Sequence, residues 1–335
     1  MKTHKTSYSI LDLALVSQNH TLKQTYANVL HLAQQAESFG YKRYWLAEHH
    51  NSTNIGSTAT SILIGYVAQG TTKITIGSGG IMLPNHSPLI VAEQFGTLAT
   101  LYPNRIDLGL GRAPGTDRET AEAIRSDFME AAHAFPNMVG QIQQYFSVDN
   151  ATSKVRATVA EGVSVPIYIL GSSTDSAHLA SKKGLPYAFA SHFATSHLWD
   201  ALEIYRSKFH PSAVLQNPYV IVGLNIIIAD TDEEAERLFT SLISMIVGLF
   251  TGKRQAVQPP TDMTDDYREI LKNPQVHQML KYTFVGSKNT VKPKIKEFMD
   301  QTKADEFIAV SNIYDINDRI KSYKYFAQIM DELSN

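Results

Sequence analysis

The sequence predicts an α/β fold, specifically a (β/α)8 TIM barrel. Three observations predict it. Short apolar runs alternate with segments of helical periodicity along the whole chain, the pattern of a parallel sheet covered by helices. About eight such units recur, the number that closes a barrel. A length of 335 residues suits one barrel with insertions, so residues 1–335 are read as a single domain.

In order, the strand runs are Tyr8 to Val16, Arg43 to Ala47, Ile74 to Gly77, Ile106 to Leu110, Ile167 to Leu170, Tyr187 to Phe189, Val220 to Ile228 and Glu306 to Val310. After the first, Leu22, Tyr26, Val29, Ala33, Ala36 and Phe39 recur at helical spacing and stop at Gly40, which suits a left-handed helix end. After the third, Ser87 and Pro88 read as the N-cap and first residue of a helix running to Leu101. After the seventh, Thr231 and Glu234 form a capping box, with acidic residues at the positive end of the helix. Two connections exceed what a barrel needs. Residues 112–165, between strands 4 and 5, hold Pro136 and helical pieces, and residues 251–284, between strands 7 and 8, are polar with Pro259, Pro260 and Pro274. The second reads either as a mobile lid or as surface elaboration.

Lys and Arg (30) nearly balance Asp and Glu (32), so no strong field draws the chain to nucleic acid or to an anionic membrane. A small, roughly neutral partner is expected instead. The absence of cysteine excludes disulfides, thiolate metal sites and cysteine nucleophiles. The N-terminal MKTHKTSYSILDLALV carries basic residues ahead of an apolar stretch, but that stretch is short and contains Asp12, so it reads as a strand and not a leader. The longest apolar runs, YVIVGLNIIIA and LISMIVGLF, are about ten residues each, too short for a bilayer. A soluble cytoplasmic protein is expected.

Five constellations carry chemistry. In AEHHN, His49 and His50 follow the second strand, where a barrel enzyme draws its acids and bases; local packing of the pair is the plainer alternative. His4, His20, His31, His86 and His192 are scattered without ligand spacing, so no metal is expected. In IGSGGIMLPNHSP, Gly77, Gly79 and Gly80 bare the backbone for a flat ligand, or simply make a turn. In DLGLGRAPGTD, Pro114 breaks the G-x-G-x-x-G spacing, which rejects a Rossmann reading and leaves Arg112 as a phosphate anchor or a surface arginine. In ILGSSTDSAHLASKKG, Ser172, Ser173 and Ser176 lie at a helix start, where hydroxyls and free N–H groups suit an anion; capping explains one serine well and three less well. In FASHF, Ser191 and His192 end the sixth run. All five fall at the C-terminal ends of predicted strands, so a barrel would gather them at one mouth.

At these residues the chain resembles the luciferase-like flavin-dependent oxidoreductases, in the branch near the bacterial luciferase α subunit. AESFGYKRYWLAEHHN, the block SGGIMLPNHSPLIVAEQFGTLATLYPNRIDLGLGRAPGTD, and ILGSSTDSAHLASKKGLPYAFASHF carry the resemblance over most of residues 7–230. It implies a barrel that uses reduced FMN, delivered by a separate flavin reductase, to activate oxygen for a small organic substrate. It implies a catalytic role for His49, a non-prolyl cis peptide at Gly79–Gly80 beneath the isoalloxazine, and phosphate contacts from Arg112 and Ser172. Ser173, Ser176 and Ser191 are near-matches to cofactor-binding positions. It further implies a homodimer formed through helices near the second and third strands. Two departures stand out: Gly111 replaces a reactive cysteine and Ser87 replaces a second pocket histidine, which speaks against long-chain aldehyde chemistry and light emission. The alternatives are hydride transfer with a reduced deazaflavin and a flavin-binding protein without catalysis.

Overall fold

The computed structural model describes residues 5–334, so His4 lies outside the described residues. Among these residues eight parallel strands close a barrel: β1 (Ser7–Asp12), β2 (Arg43–Leu46), β3 (Thr75–Met82), β4 (Ile106–Gly111), β5 (Ile167–Gly171), β6 (Tyr187–Phe189), β7 (Val220–Ala229) and β9 (Glu306–Val310). Each pairs with the next, β6 pairs with β7, and β9 joins β7 to β1. The predicted TIM barrel is therefore present, with both long insertions where they were expected.

The strand between them, β8 (Thr283–Ser287), was not foreseen and lies outside the ring. β7 is ten residues long; its segment Ile221–Asn225 pairs with β9, and its segment Asn225–Ala229 continues past the barrel to pair with β8. The first strand is shorter than expected. It stops at Asp12, whose carboxylate accepts the Ala14 N–H at 3.0 Å, a local turn that places Ala14 at a φ of 52°. The helix Leu22–Ser38 starts in a full Thr21/Gln24 capping box and ends before Gly40 at a φ of 80°. Thr231 accepts the Glu234 N–H, but Glu234 turns its carboxylate to Arg237, so only half of the expected box forms. Ser87 sits at the N-cap of Pro88–Leu101 without a side-chain cap bond.

Strand residues alternate between two buried environments. Tyr44, Leu46, Ile76, Leu108 and Ile169 face the surrounding helices, whereas Leu11, Trp45, Tyr168, Ala188, Ile221 and Ile308 pack together inside the barrel. At the N-terminal end of the strands the interior is ionic. Arg43 lies 2.5 Å from Asp107 and 2.7 Å from Glu306, with its guanidinium 4.8 Å from the Tyr168 ring centre. Tyr219 donates to Glu306 at 2.7 Å, and Trp45 Nε1–H donates to Asp107 at 3.1 Å. This plug closes one end and leaves the other as the mouth. No helix among the described residues is long and apolar enough to cross a membrane.

Candidate active site

The mouth is organised by a residue the sequence reading passed over. Glu48 follows β2 and is 1% exposed, yet both of its carboxylate oxygens are fully used. Oε1 accepts from His50 Nε2 at 2.9 Å, from His86 Nε2 at 2.9 Å and from Asn85 Nδ2 at 3.0 Å, while Oε2 accepts the Met82 N–H at 2.9 Å. Burial alone would raise its pKa. The hydrogen bonds from His50 and His86, the charge of His86 and the Met82 N–H outweigh burial and hold it at about 2. Asn85 also donates to the Pro114 carbonyl at 3.0 Å, so one carboxylate ties together the exits of β2, β3 and β4.

That tie fixes His49. Its backbone N–H donates to the Ser57 carbonyl at 3.1 Å, and its Nδ1 lies 3.2 Å from the Gly115 carbonyl. A carbonyl only accepts, so Nδ1 carries the proton and Nε2 keeps its lone pair. Burial pushes the imidazole below its ordinary range; the Gly115 carbonyl and Glu48 oppose this, and His50 and Arg254 reinforce it. His192 is close enough for its charge to couple to His49. Burial, with His49 second, lowers it to about 3, and its buried Nδ1 has no partner among the described residues.

Beside these groups the Gly79–Gly80 peptide is cis. Neither glycine leaves room for a side chain: a Cβ at Gly79 would stand 2.6 Å from Leu11 and one at Gly80 would stand 2.8 Å from the Gly109 carbonyl oxygen. The backbone between β2 and β4 is thus bare, with Gly79 partly exposed at the mouth.

Arg112, at the exit of β4, reaches across to the turn after β5. Its Nη1 lies 3.2 Å from the Asp175 carboxylate, and the two side chains are 50% and 68% exposed. Asp175 is in the first turn of the helix Thr174–Lys183, so the predicted arginine and the predicted serine turn do meet. Ser172 is exposed, and neither it nor Ser173 spends its hydroxyl on a cap. Ser176 is committed differently: its hydroxyl donates to the Ser173 carbonyl at 2.8 Å and lies 3.0 Å from Tyr187 Oη. Ser191 is buried, donating to the Gly223 carbonyl at 2.5 Å. Both hydroxyls are occupied within the protein, whereas Arg112, Ser172 and Ser173 are presented outward.

The model of the luciferase-like monooxygenase family matches residues 6–306. The chain belongs to that family. A luciferase-like monooxygenase of Escherichia coli (strain K12) is 45% identical over 332 residues, 99% of each chain. The N-acetyl-S-alkylcysteine monooxygenase of Bacillus subtilis (strain 168) is 32% identical over 317 residues, covering 92% of this chain and 90% of the relative. The crystal structure of apo-MsnO8 is similar at a TM-score of 0.88 and 30% identity, over 97% of this chain and 98% of that one.

For a luciferase-like monooxygenase the departures acquire a physical reason. A Cβ at Gly111 would stand 2.8 Å from Met82 Sδ, so this position is filled by a neighbour. Ser87 is exposed, and the imidazole beside it, His86, is the one that reaches into the mouth and binds Glu48. Glu48 and His86 were missed as functional candidates, and His192 was placed at the rim without a role. The available signal was PNH, which delivers Asn85 and His86 within a few residues of the glycine pair.

A phosphorylated flavin fits these residues on two grounds. One is the donor set: a half-exposed guanidinium held by a single exposed carboxylate, two unspent serine hydroxyls, and the first N–H groups of a ten-residue helix. The other is the unpaired, buried His192 Nδ1 beside His49.

Proposed function

We propose that this chain is a flavin-dependent monooxygenase that uses reduced FMN and molecular oxygen on a small organic substrate. The observation that carries the reading is the meeting of Arg112 with the Ser172–Asp175 turn at the end of the barrel that also holds His49. When bound, reduced flavin supplies the two electrons that let one atom of oxygen enter the substrate while the other leaves as water.

The chain's own residues supply placement and proton control. Arg112 and the hydroxyls of Ser172 and Ser173 would hold the phosphate, with charge-assisted bonds in place of the exposed Asp175 contact. Gly79 and Gly80 keep side chains away from the ring face. His49, neutral and with Nε2 free, is the acid–base group; the Gly115 carbonyl holds its tautomer and the Glu48 hub holds its loop. A deazaflavin would place a phosphate on the same anchor but deliver hydride and need no oxygen. A carrier would need the anchor but not His49.

Anaerobic titration with reduced FMN, followed by oxygen, tests the reading. Binding of reduced FMN and substrate-dependent oxygen uptake supports it. Turnover with a reduced deazaflavin alone, or tight FMN binding with no oxygen uptake, refutes it. We also propose a homodimer. Ile62 and Tyr66 on the helix Thr60–Gln69 are 72% and 43% exposed, and Ile90 and Leu101 on Pro88–Leu101 are 47% and 63% exposed, an apolar surface on the two helices that follow β2 and β3. A separate flavin reductase supplies the reduced cofactor.

A further inference from the structure

The insertion after β7 folds back against the loop after β1 for reasons visible in its backbone. The helix Asp232–Thr251 ends at Gly252, whose φ of 71° turns the chain. Residues 253 and 254 then lie against Gly248, where a Cβ would stand 3.0 Å from the Lys253 carbonyl oxygen and 3.7 Å from the Arg254 Cα. Val257 pins the segment to the loop after β1: its N–H donates to the Val16 carbonyl at 2.9 Å and its carbonyl accepts the Gln18 N–H at 2.8 Å. Ser241 donates to the Gln258 carbonyl at 2.8 Å, fixing the same stretch to the helix.

Arg254 is therefore held between that helix and the loop after β1, at the C-terminal end of the strands, by a backbone anchored on both sides. It is exposed and has no hydrogen bond or ion pair with any described residue. With Asn54, Ser244, Met245, Gln255 and Gln258 it lines a cleft that contains no carboxylate. Gln258 spends its Nε2 on the Ala256 carbonyl at 2.7 Å, but two donors there are unspent: Asn54 uses its Oδ1 to accept from Ser52 at 2.6 Å, which leaves its NH2 available, and the Ser244 hydroxyl has no partner among the described residues. The positive charge of Arg254 also reaches His49. A solvated surface arginine needs no ligand, but one whose backbone is anchored, that lines a cleft without a carboxylate and whose charge reaches the acid–base group, has the features of an anion subsite.

We propose that the cleft at Arg254 binds a carboxylate of the substrate, so that the monooxygenase acts on small organic acids in preference to their neutral esters or amides. This rests on the flavin-dependent reading above and narrows its substrate class. The near-zero net charge of the chain argued for a neutral partner, but net charge averages over the surface and this cleft is locally cationic.

The test is calorimetric titration of hexanoate, phenylacetate and N-acetyl-S-methylcysteine, each against its methyl ester, with and without FMN. At least one acid is expected to bind about 10- to 100-fold more tightly than its ester, the range of a charge-assisted pair. Arg254→Gln should abolish that preference with FMN affinity and melting temperature unchanged, and Arg254→Lys should restore part of it. Absence of any acid preference in the wild type, including absence of binding, overturns the proposal, as does a preference that survives Arg254→Gln. FMN binding separates the two readings: FMN bound without acid preference refutes the subsite alone, and acid preference without FMN binding refutes the flavin reading alone.

Discussion

Replacing Glu48 by glutamine keeps the shape of the hub and removes its charge. In the wild type the carboxylate titrates at about 2 in the folded chain against 4.5 for the ordinary group. At about 1.4 kcal/mol per unit, this difference contributes roughly 3 kcal/mol of stability. Because the folded pKa is depressed, the unfolded chain holds more protons between those values. The contribution is complete above pH 4.5 and is lost as the pH falls towards 2. Glutamine also turns an NH2 towards groups that already donate, so none of the loss is recovered. Urea denaturation of wild type and Glu48→Gln at a series of pH values should show a gap of about 3 kcal/mol at neutrality that narrows below pH 4.5. A neutral-pH gap under about 1 kcal/mol, the size of an ordinary exposed pair, or a gap that does not change with pH, refutes the hub argument.

Arg112→Ala should weaken FMN binding about 10- to 100-fold without lowering the melting temperature, because its present contact with Asp175 is exposed; an unchanged dissociation constant counts against the anchor. The depressed pKa of His49 keeps its base form populated below pH 6.5, so the acid limb of kcat/KM should fall below that value and vanish in His49→Asn, where turnover should drop about 100-fold or more. An acid limb above 6.5, or one retained in the variant, removes His49 from proton transfer. Ile62→Lys with Leu101→Glu should convert a dimer to a monomer in sedimentation velocity while leaving FMN binding intact; a single species of unchanged mass in both proteins refutes the interface.

The strand runs were legible because each is buried on both faces and bounded by glycine or polar residues. The serine turn and Arg112 were legible because their rim follows from strand order alone. Side-chain direction was not legible. Nothing in FASHF or SSTDS says that Ser191 turns to Gly223 or that Ser176 turns to Ser173 and Tyr187. Glu48 was hidden by distance, since His86 is 38 residues away along the chain. β8 was hidden because it pairs only with the overhang of β7. The ionic plug did leave a trace: the runs at Arg43, Asp107 and Glu306 each carry a charge at their beginning, where a purely apolar strand would have none.

That plug decides where chemistry is possible. Burial raises the pKa of Asp107, and the two carboxylates raise that of Arg43 well above its ordinary value despite burial, so the guanidinium stays charged and committed. Removing one partner would leave an unpaired charge in the interior, at a cost of about 3–5 kcal/mol. Trp45 and Leu11 pack above it, so no ligand passes below them and binding is confined to the mouth. There the acids are already engaged: Glu48 by four donors, Asp117 by Thr120 and Asn51, and Asp175 by Arg112. The cation at Arg254 is not. An incoming anion therefore displaces no ion pair at Arg254 and exchanges one exposed pair at Arg112. A cation would find no carboxylate free to receive it among those three. On the proposal made above, the mouth would select for negative charge although the chain as a whole, at a net charge of −2, would not.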